Sequence, residues 1–376
     1  MGKRYGKNMM FRMQYHFQGS ELIMVIFASF LLILSGCQKR QRVIIHVGAS
    51  SSEESVLDGM EVINEDYDAA LKRCEERLLM IGADDSEEAA DVYSFMGGIY
   101  AGYTSDKDQA IYYINKAIEI HERDGDDIGL AWDYSRMGKA YIHCDEEEPE
   151  KGLEYLERAE ELCDKYKEYG LDESILMATV WSSRGDLNGK LGEYDKALEA
   201  YDAAQRIYEK KQQPDAQTYW DKGFVYWDMG EYELAEEECL KARDLYRENQ
   251  ELYYEARLNS ELGYFYMCID KYDESIDCYM QALEFYTSTN CEIENQAMSY
   301  INMAFDFNMK GDFEEAVKNS VIACRIVEGN VSIVDDKGGR YKNNLSLYYS
   351  EWTDNKMEED FESWYKRVVL DGEDWR

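Results

Sequence analysis

From about residue 90 onward, the apolar positions of this chain fall at i, i+3, i+4 and i+7. That is the spacing of a helical face and not the alternation of a strand. The pattern recurs every 38–47 residues. Its clearest copy is Trp181, Gly185, Asn188, Gly192, Tyr194, Ala197, Tyr201 and Ala204. The next is Tyr219, Gly223, Tyr226, Gly230, Tyr232, Ala235, Cys239 and Ala242. Then come Asn259, Leu262, Gly263, Tyr266, Tyr272, Ser275, Tyr279 and Ala282, and after them Tyr300, Met303, Ala304, Phe307, Gly311, Phe313, Ala316, Ser320 and Ala323. These four keep the same internal spacing. Upstream copies around Met96-Gly97 and Met137-Gly138 need one and two extra residues. Tyr341, Leu345, Tyr348, Met357, Phe361 and Trp364 form a divergent last copy, and Tyr67, Ala70 and Cys74 match only the second half of a unit. Small residues such as Gly185, Ala197 and Ala204 predict close approach of two helices, with Tyr or Trp filling the wider gaps. One such unit exposes its apolar face unless it is stacked, so the repeats predict a single array over 57–376.

These residues resemble the tetratricopeptide repeat, with its large-x₂-Leu-Gly-x₂-Tyr first helix and Ala-x₃-Phe-x₂-Ala second helix. The resemblance covers about residues 60–370 and implies an all-α fold, a right-handed superhelical solenoid of antiparallel helix pairs. The spacing departs from the family's usual 34 residues, because EYGLDES, EKKQQPDA and TSTNCEIE lengthen the stretches between units.

The N-terminus reads differently. Lys3, Arg4, Lys7 and Arg12 precede an apolar run from Leu22 to Leu34, and Leu34-Ser35-Gly36-Cys37 follows. Thirteen apolar residues fall short of the roughly 20 that span a bilayer, but match the apolar region of a signal peptide. LSGC resembles the lipobox of bacterial lipoproteins. The resemblance implies cleavage after Gly36, lipidation of Cys37, a flexible tether over 37–56 and a lipid-anchored protein on the exported face of a cell or outer membrane.

Composition narrows the function. The chain has 78 Asp+Glu, 41 Lys+Arg and a net charge of −37, which argues against nucleic acid as a main partner. Without residues 1–36 it keeps 37 basic and 77 acidic residues, a net of −40. His16, His46, His121 and His143 lack the neighbours of a metal motif, so no metal or cofactor is expected. Cysteines beyond Cys37 show no paired disulfide spacing, and Cys74 and Cys239 read as small core residues. Neither a phosphate-binding loop nor a nucleophile elbow occurs, and acidic clusters are expected on a solvated face.

In the family resembled, the concave groove is lined by fixed first-helix offsets. Carried over, they select Trp220, Phe224, Trp227, Arg257, Tyr264, Met267, Phe305 and Asn308 as partner-binding residues. Upstream, the same offsets select Asp91, Lys139 and Asp186 among others, which makes the groove close to neutral. The reading is a non-catalytic, membrane-anchored scaffold that binds a protein or peptide through aromatic and Met side chains. The alternatives are a carbohydrate-binding surface lipoprotein, with Trp and Tyr stacking on sugar rings, and an all-α glycan hydrolase.

Overall fold

A computed structural model describes residues 67–82, 85–104, 106–142, 148–171, 174–289, 291–330, 337–353 and 359–374. The expected signal peptide, Cys37, the tether and the His143–Cys144 turn lie outside the described residues. Among the described residues there are 15 α-helices and no strand, the all-α paired architecture that the repeats predict. They fall into two compact units, one ending at Glu251 and one starting at Leu252.

The unit of residues 67–251 begins with the half-repeat helix α1 (Tyr67–Ile81). Four pairs follow: α2 (Glu87–Ile99) with α3 (Lys107–Asp124), α4 (Asp127–Ala140) with α5 (Pro149–Lys165), α6 (Ile175–Lys190) with α7 (Tyr194–Lys210), and α8 (Ala216–Met229) with α9 (Tyr232–Glu248). The unit of residues 252–374 pairs α10 (Leu252–Cys268) with α11 (Tyr272–Thr289), α12 (Ile293–Lys310) with α13 (Phe313–Glu328), and α14 (Lys337–Trp352) with the short α15 (Phe361–Tyr365).

Local sequence explains the boundaries. Ser86, Asp106, Asp126, Ser174, Asp215, Asp312 and Asp360 accept backbone N–H bonds as N-caps. Part of the chain's acidity is therefore spent on helix starts. Pro149 stands in the first turn of α5, where its missing N–H is harmless. The turn inside a pair needs a left-handed residue, supplied by Gly192, Gly230 and Gly311, and by Asp270 at φ 62°. The extra length between units goes into helix ends and turns. After α7 and α9 the chain turns through Gln212 and Gln250, both at positive φ, and Glu292 does the same before α12.

Packing follows the small-residue code. Ala197, Ala204, Ala235, Cys239 and Ala242 are fully buried. A Cβ on Gly223 would stand 2.5 Å from Cys239 Sγ, so α8 and α9 approach only because that atom is absent. Leu156 and Tyr201 pack over Gly138 and Gly185 inside their own pairs, and Leu187 packs over Gly152 of the preceding pair, a buried Leu contributing about 1.5–3 kcal/mol. In the unit of residues 67–251, the first helices α2, α4, α6 and α8 touch in succession, whereas each second helix packs chiefly on its own first helix and the next one. The first helices are thus the more crowded, inner layer. In the unit of residues 252–374, α10 and α12 touch in the same way, and the divergent copy buries Tyr341, Leu345, Tyr348 and Trp364 against α13. Arg325 of α13 holds that end by donating to the Val368 carbonyl at 2.9 and 3.2 Å. No helix among the described residues is long and apolar enough to cross a membrane.

Candidate functional site

The eight residues selected by offset divide between the units, three on α8 and five on α10 and α12. On α8, Trp220 is only 1% exposed. Its ring lies along Phe224, centroids 6.3 Å apart, and meets Tyr246 of α9 edge-on at 5.9 Å. Trp220 therefore packs the unit, and a ligand would meet its neighbours instead. Phe224 and Trp227 are half-buried, Trp227 lying against Tyr232 at 4.7 Å.

Beside these rings lies a set of carboxyls that the offsets passed over in part. Asp186 of α6 accepts from the Tyr201 hydroxyl at 2.6 Å. Asp221 of α8 accepts from Gln217 Nε2 at 2.8 Å, and Gln217 Oε1 accepts from Tyr246 at 3.0 Å. Both acids keep part of their surface in water, but protein surrounds them along the inner layer and displaces much of it. Burial pushes Asp186 up to about 6, against the pull of Tyr201 and of the Lys139 and Lys190 charges. Asp221 is pushed well above the carboxylate range, first by burial and then by the Asp186 charge. Lys139 acts on both acids and Lys190 on Asp186, without bringing either back to the ordinary carboxylate range. Asp221 was legible in principle: two residues after the first large position, the chain reads Arg136, Ser183, Asp221, Glu261 and Asn302 in successive units, polar each time.

In the unit of residues 252–374, α10 supplies Arg257, Tyr264 and Met267, all half-buried, and α12 supplies Phe305 and Asn308, also half-buried. The Arg257 guanidinium stands over the Tyr253 ring at 5.8 Å. Glu261, one turn on, is raised by burial although Arg257 pulls it down. Cys268 bonds to Tyr264, and its thiol is pushed up to about 11, first by desolvation. Phe305 meets Tyr272 edge-on at 6.5 Å, and Asn308 bonds to Glu351 of α14.

His121 has partners that no local motif announces. Its Nδ1 lies 2.7 Å from Asp133 Oδ2, and its Nε2 lies 3.8 Å from Asp91 and 3.9 Å from Asp126. Burial disfavours charge on the ring, but the Asp133 hydrogen bond and the three carboxylate charges outweigh it and raise its pKa. Ser94 also donates to Asp133, and Arg136 to Ser94, so the network ties α2, α3 and α4 together. Among the described residues, no group of three or more His, Cys, Asp or Glu is disposed to hold a metal ion. No pair of the described cysteines forms a disulfide. Cys74 is fully buried, its thiol pushed up to about 12 by burial, and acts as a small core residue.

Stacked helix pairs with a crowded first-helix layer have the form of a tetratricopeptide-like helical fold, and comparison supports that fold. Residues 178–211, 216–249 and 254–320 match tetratricopeptide repeat profiles. The apo form of RapI shares the fold with a TM-score of 0.58 at 14% identity, over 76% of this chain and 78% of that one. A Rap protein complexed with competence and sporulation factor gives 0.54 at 14% identity, over 90% of this chain and 95% of that one. No curated protein matches the sequence.

Proposed function

We propose that this protein is a non-catalytic, lipid-anchored scaffold that binds a protein or peptide on its first-helix layer. One observation carries the reading: half-exposed Phe224 and Trp227 lie on the same helix as Asp221, a carboxyl that burial and the Asp186 charge hold far above its ordinary pKa. Aromatic anchors are the usual source of interface energy, and a cation placed beside Asp221 would favour its ionised form and pair with it. The partner best suited to this surface is a segment with a large apolar side chain next to a Lys or Arg. The structural neighbour complexed with competence and sporulation factor supports a ligand-binding role for the fold. Cys37 would carry the lipid that tethers the array to a cell or outer membrane.

A photo-crosslinking amino acid at position 224 or 227 tests the groove, with Tyr169, 82% exposed and on the turn after α5, as the control position. We expect adducts from 224 and 227 that fall several-fold when Asp221 is changed to Asn, and none from 169. Equal labelling from all three positions would remove the groove reading. The anchor is tested separately: Cys37→Ala should abolish incorporation of a labelled fatty acid and move the protein out of the membrane fraction.

A further inference from the structure

Asp306 and Ser275 stand where every other clear unit is apolar or small. The position of Asp306 on the first helix is Ile99, Ala140, Leu187, Val225 and Phe265 in the five preceding units. All five are buried. The position of Ser275 on the second helix is Ala110, Gly152, Ala197, Ala235 and Ala316 in the other five. The two positions face each other from one unit to the next: a Cβ on Gly152 would stand 2.7 Å from Leu187, and Ala197 packs with Val225. At the junction of α11 and α12 that apolar pair has become a hydroxyl and a carboxyl, both 0% exposed.

The hydrogen bonds there count protons. Ser275 Oγ lies 2.8 Å from the Gly263 carbonyl of α10 and 2.6 Å from Asp306 Oδ2. A hydroxyl has one hydrogen, and both neighbours are acceptors if Asp306 is ionised. If Asp306 carries a proton, it donates to Ser275, Ser275 donates to Gly263, and each close contact is a hydrogen bond. The other carboxyl oxygen, Oδ1, is buried with no hydrogen-bond partner among the described residues, which suits an acid better than a carboxylate.

The groups around Asp306 do not supply a countercharge. Cys268 of α10, Tyr272 and Tyr279 of α11 and Tyr348 of α14 are within reach of its charge, and all are neutral at pH 7. Glu351, whose charge acts on the same Tyr348, is a further acid. Among the described residues, Lys310 is the one cation acting on Asp306, and its ammonium pairs with the exposed Asp273.

We propose that Asp306 is a neutral carboxylic acid in the folded protein and that the α10–α11–α12 junction is a proton-dependent clasp, tight when Asp306 is protonated and loosened when it ionises. Burial accordingly pushes its pKa up to about 7, with the Ser275 bond and Lys310 acting against it. The sign follows from linkage. An acid whose pKa is raised on folding binds more protons in the native state, so stability falls as pH rises from the ordinary Asp value to the raised one, and is level above it.

The test uses the full chain, with amide exchange of peptides from α10–α12 corrected for intrinsic rates, at about pH 5.5 to 8. In the unaltered protein, the opening equilibrium of these helices should grow about thirty-fold between pH 5.5 and 8, about half of that rise coming by pH 7, where it begins to level off. Asp306→Asn replaces the acid proton by an amide N–H and should abolish that rise. Ser275→Ala with Asp306→Leu restores the apolar pair of the other units and should abolish it too. The infrared band of a protonated carboxyl at pH 6 should be larger in the unaltered protein than in D306N. The proposal is overturned if either variant keeps the pH dependence of the unaltered protein, or if D306N loses no carboxyl band.

Discussion

Two fully buried carboxyls, Asp133 in the unit of residues 67–251 and Asp306 in the unit of residues 252–374, meet different partners. Asp133, whose pKa burial raises, faces the His121 imidazole at 2.7 Å, and buried Lys222 donates to Asp202 at 2.6 Å and lies 3.6 Å from Glu238. In the unit of residues 252–374, Asp306 meets a hydroxyl and Glu351 an amide. The helix pairs are built alike, so architecture does not set the difference; it depends on whether a neighbouring repeat offers a basic group. A buried ion pair fails when one partner is removed, because the other is left charged and unsolvated. A buried neutral acid fails only when it loses its proton.

Substitutions that should be equivalent in a uniform array ought therefore to diverge. Asp133→Asn is expected to have the largest effect, about 3 kcal/mol, by removing the carboxyl that buried His121 bonds to and that Ser94 donates to. D306N, the same chemical change, should leave its unit within about 1 kcal/mol of the unaltered protein at pH 6. Urea titration followed by exchange on peptides from α2–α4 and from α10–α12 reads the two units separately. Equal losses would show that the units handle buried acids alike.

Next in size is Gly223→Ala, which forces the new methyl to within 2.5 Å of Cys239 Sγ and should cost about 2 kcal/mol. Adding Cys239→Ala should recover part of that loss in thermal melts. If the second change adds to the first, close approach is not what Gly223 provides.

A smaller effect separates the units by pH. The pKa of His121 is raised on folding, so its contribution is fully present below about 6.5 and is lost as pH rises through the raised value. The Asp306 junction weakens instead from near pH 4 up to about 7. Exchange in α2–α4 should thus begin to quicken where exchange in α10–α12 is levelling off. Replacing His121 with Gln should cancel only the first of these.

Asp270→Gly should give the smallest change, a gain of about 0.5–1 kcal/mol, because a left-handed turn position costs glycine less than aspartate. The in-pair turns at 192, 230 and 311 already carry that glycine, and a melt of D270G against the parent decides it.

Much of this was legible in the repeats. Gly185, Ala197, Gly223 and Ala235 marked the close helix approaches, and Cys74 and Cys239 read correctly as core. The offsets also led to the half-exposed Phe224, Trp227, Tyr264, Met267 and Phe305. They misled at Trp220, because α9 extends to Glu248 and lays Tyr246 over that ring. Asp221 and Glu261 lie one position beyond the offsets, and both are pushed toward protonation by burial.

Helix pairing, cap positions and the small-residue contacts were determined by the sequence itself, since each depends on residues within one or two turns or on a spacing that repeats. The protonation of Asp306 and the charge of His121 were decided only in the tertiary structure. Ser275 lies 31 residues from Asp306, and Ser94 lies 39 from Asp133. Whether a carboxyl keeps its proton depends on how much water the surrounding helices exclude and on whether one of them brings a cation. Both quantities exist only after the repeats have stacked.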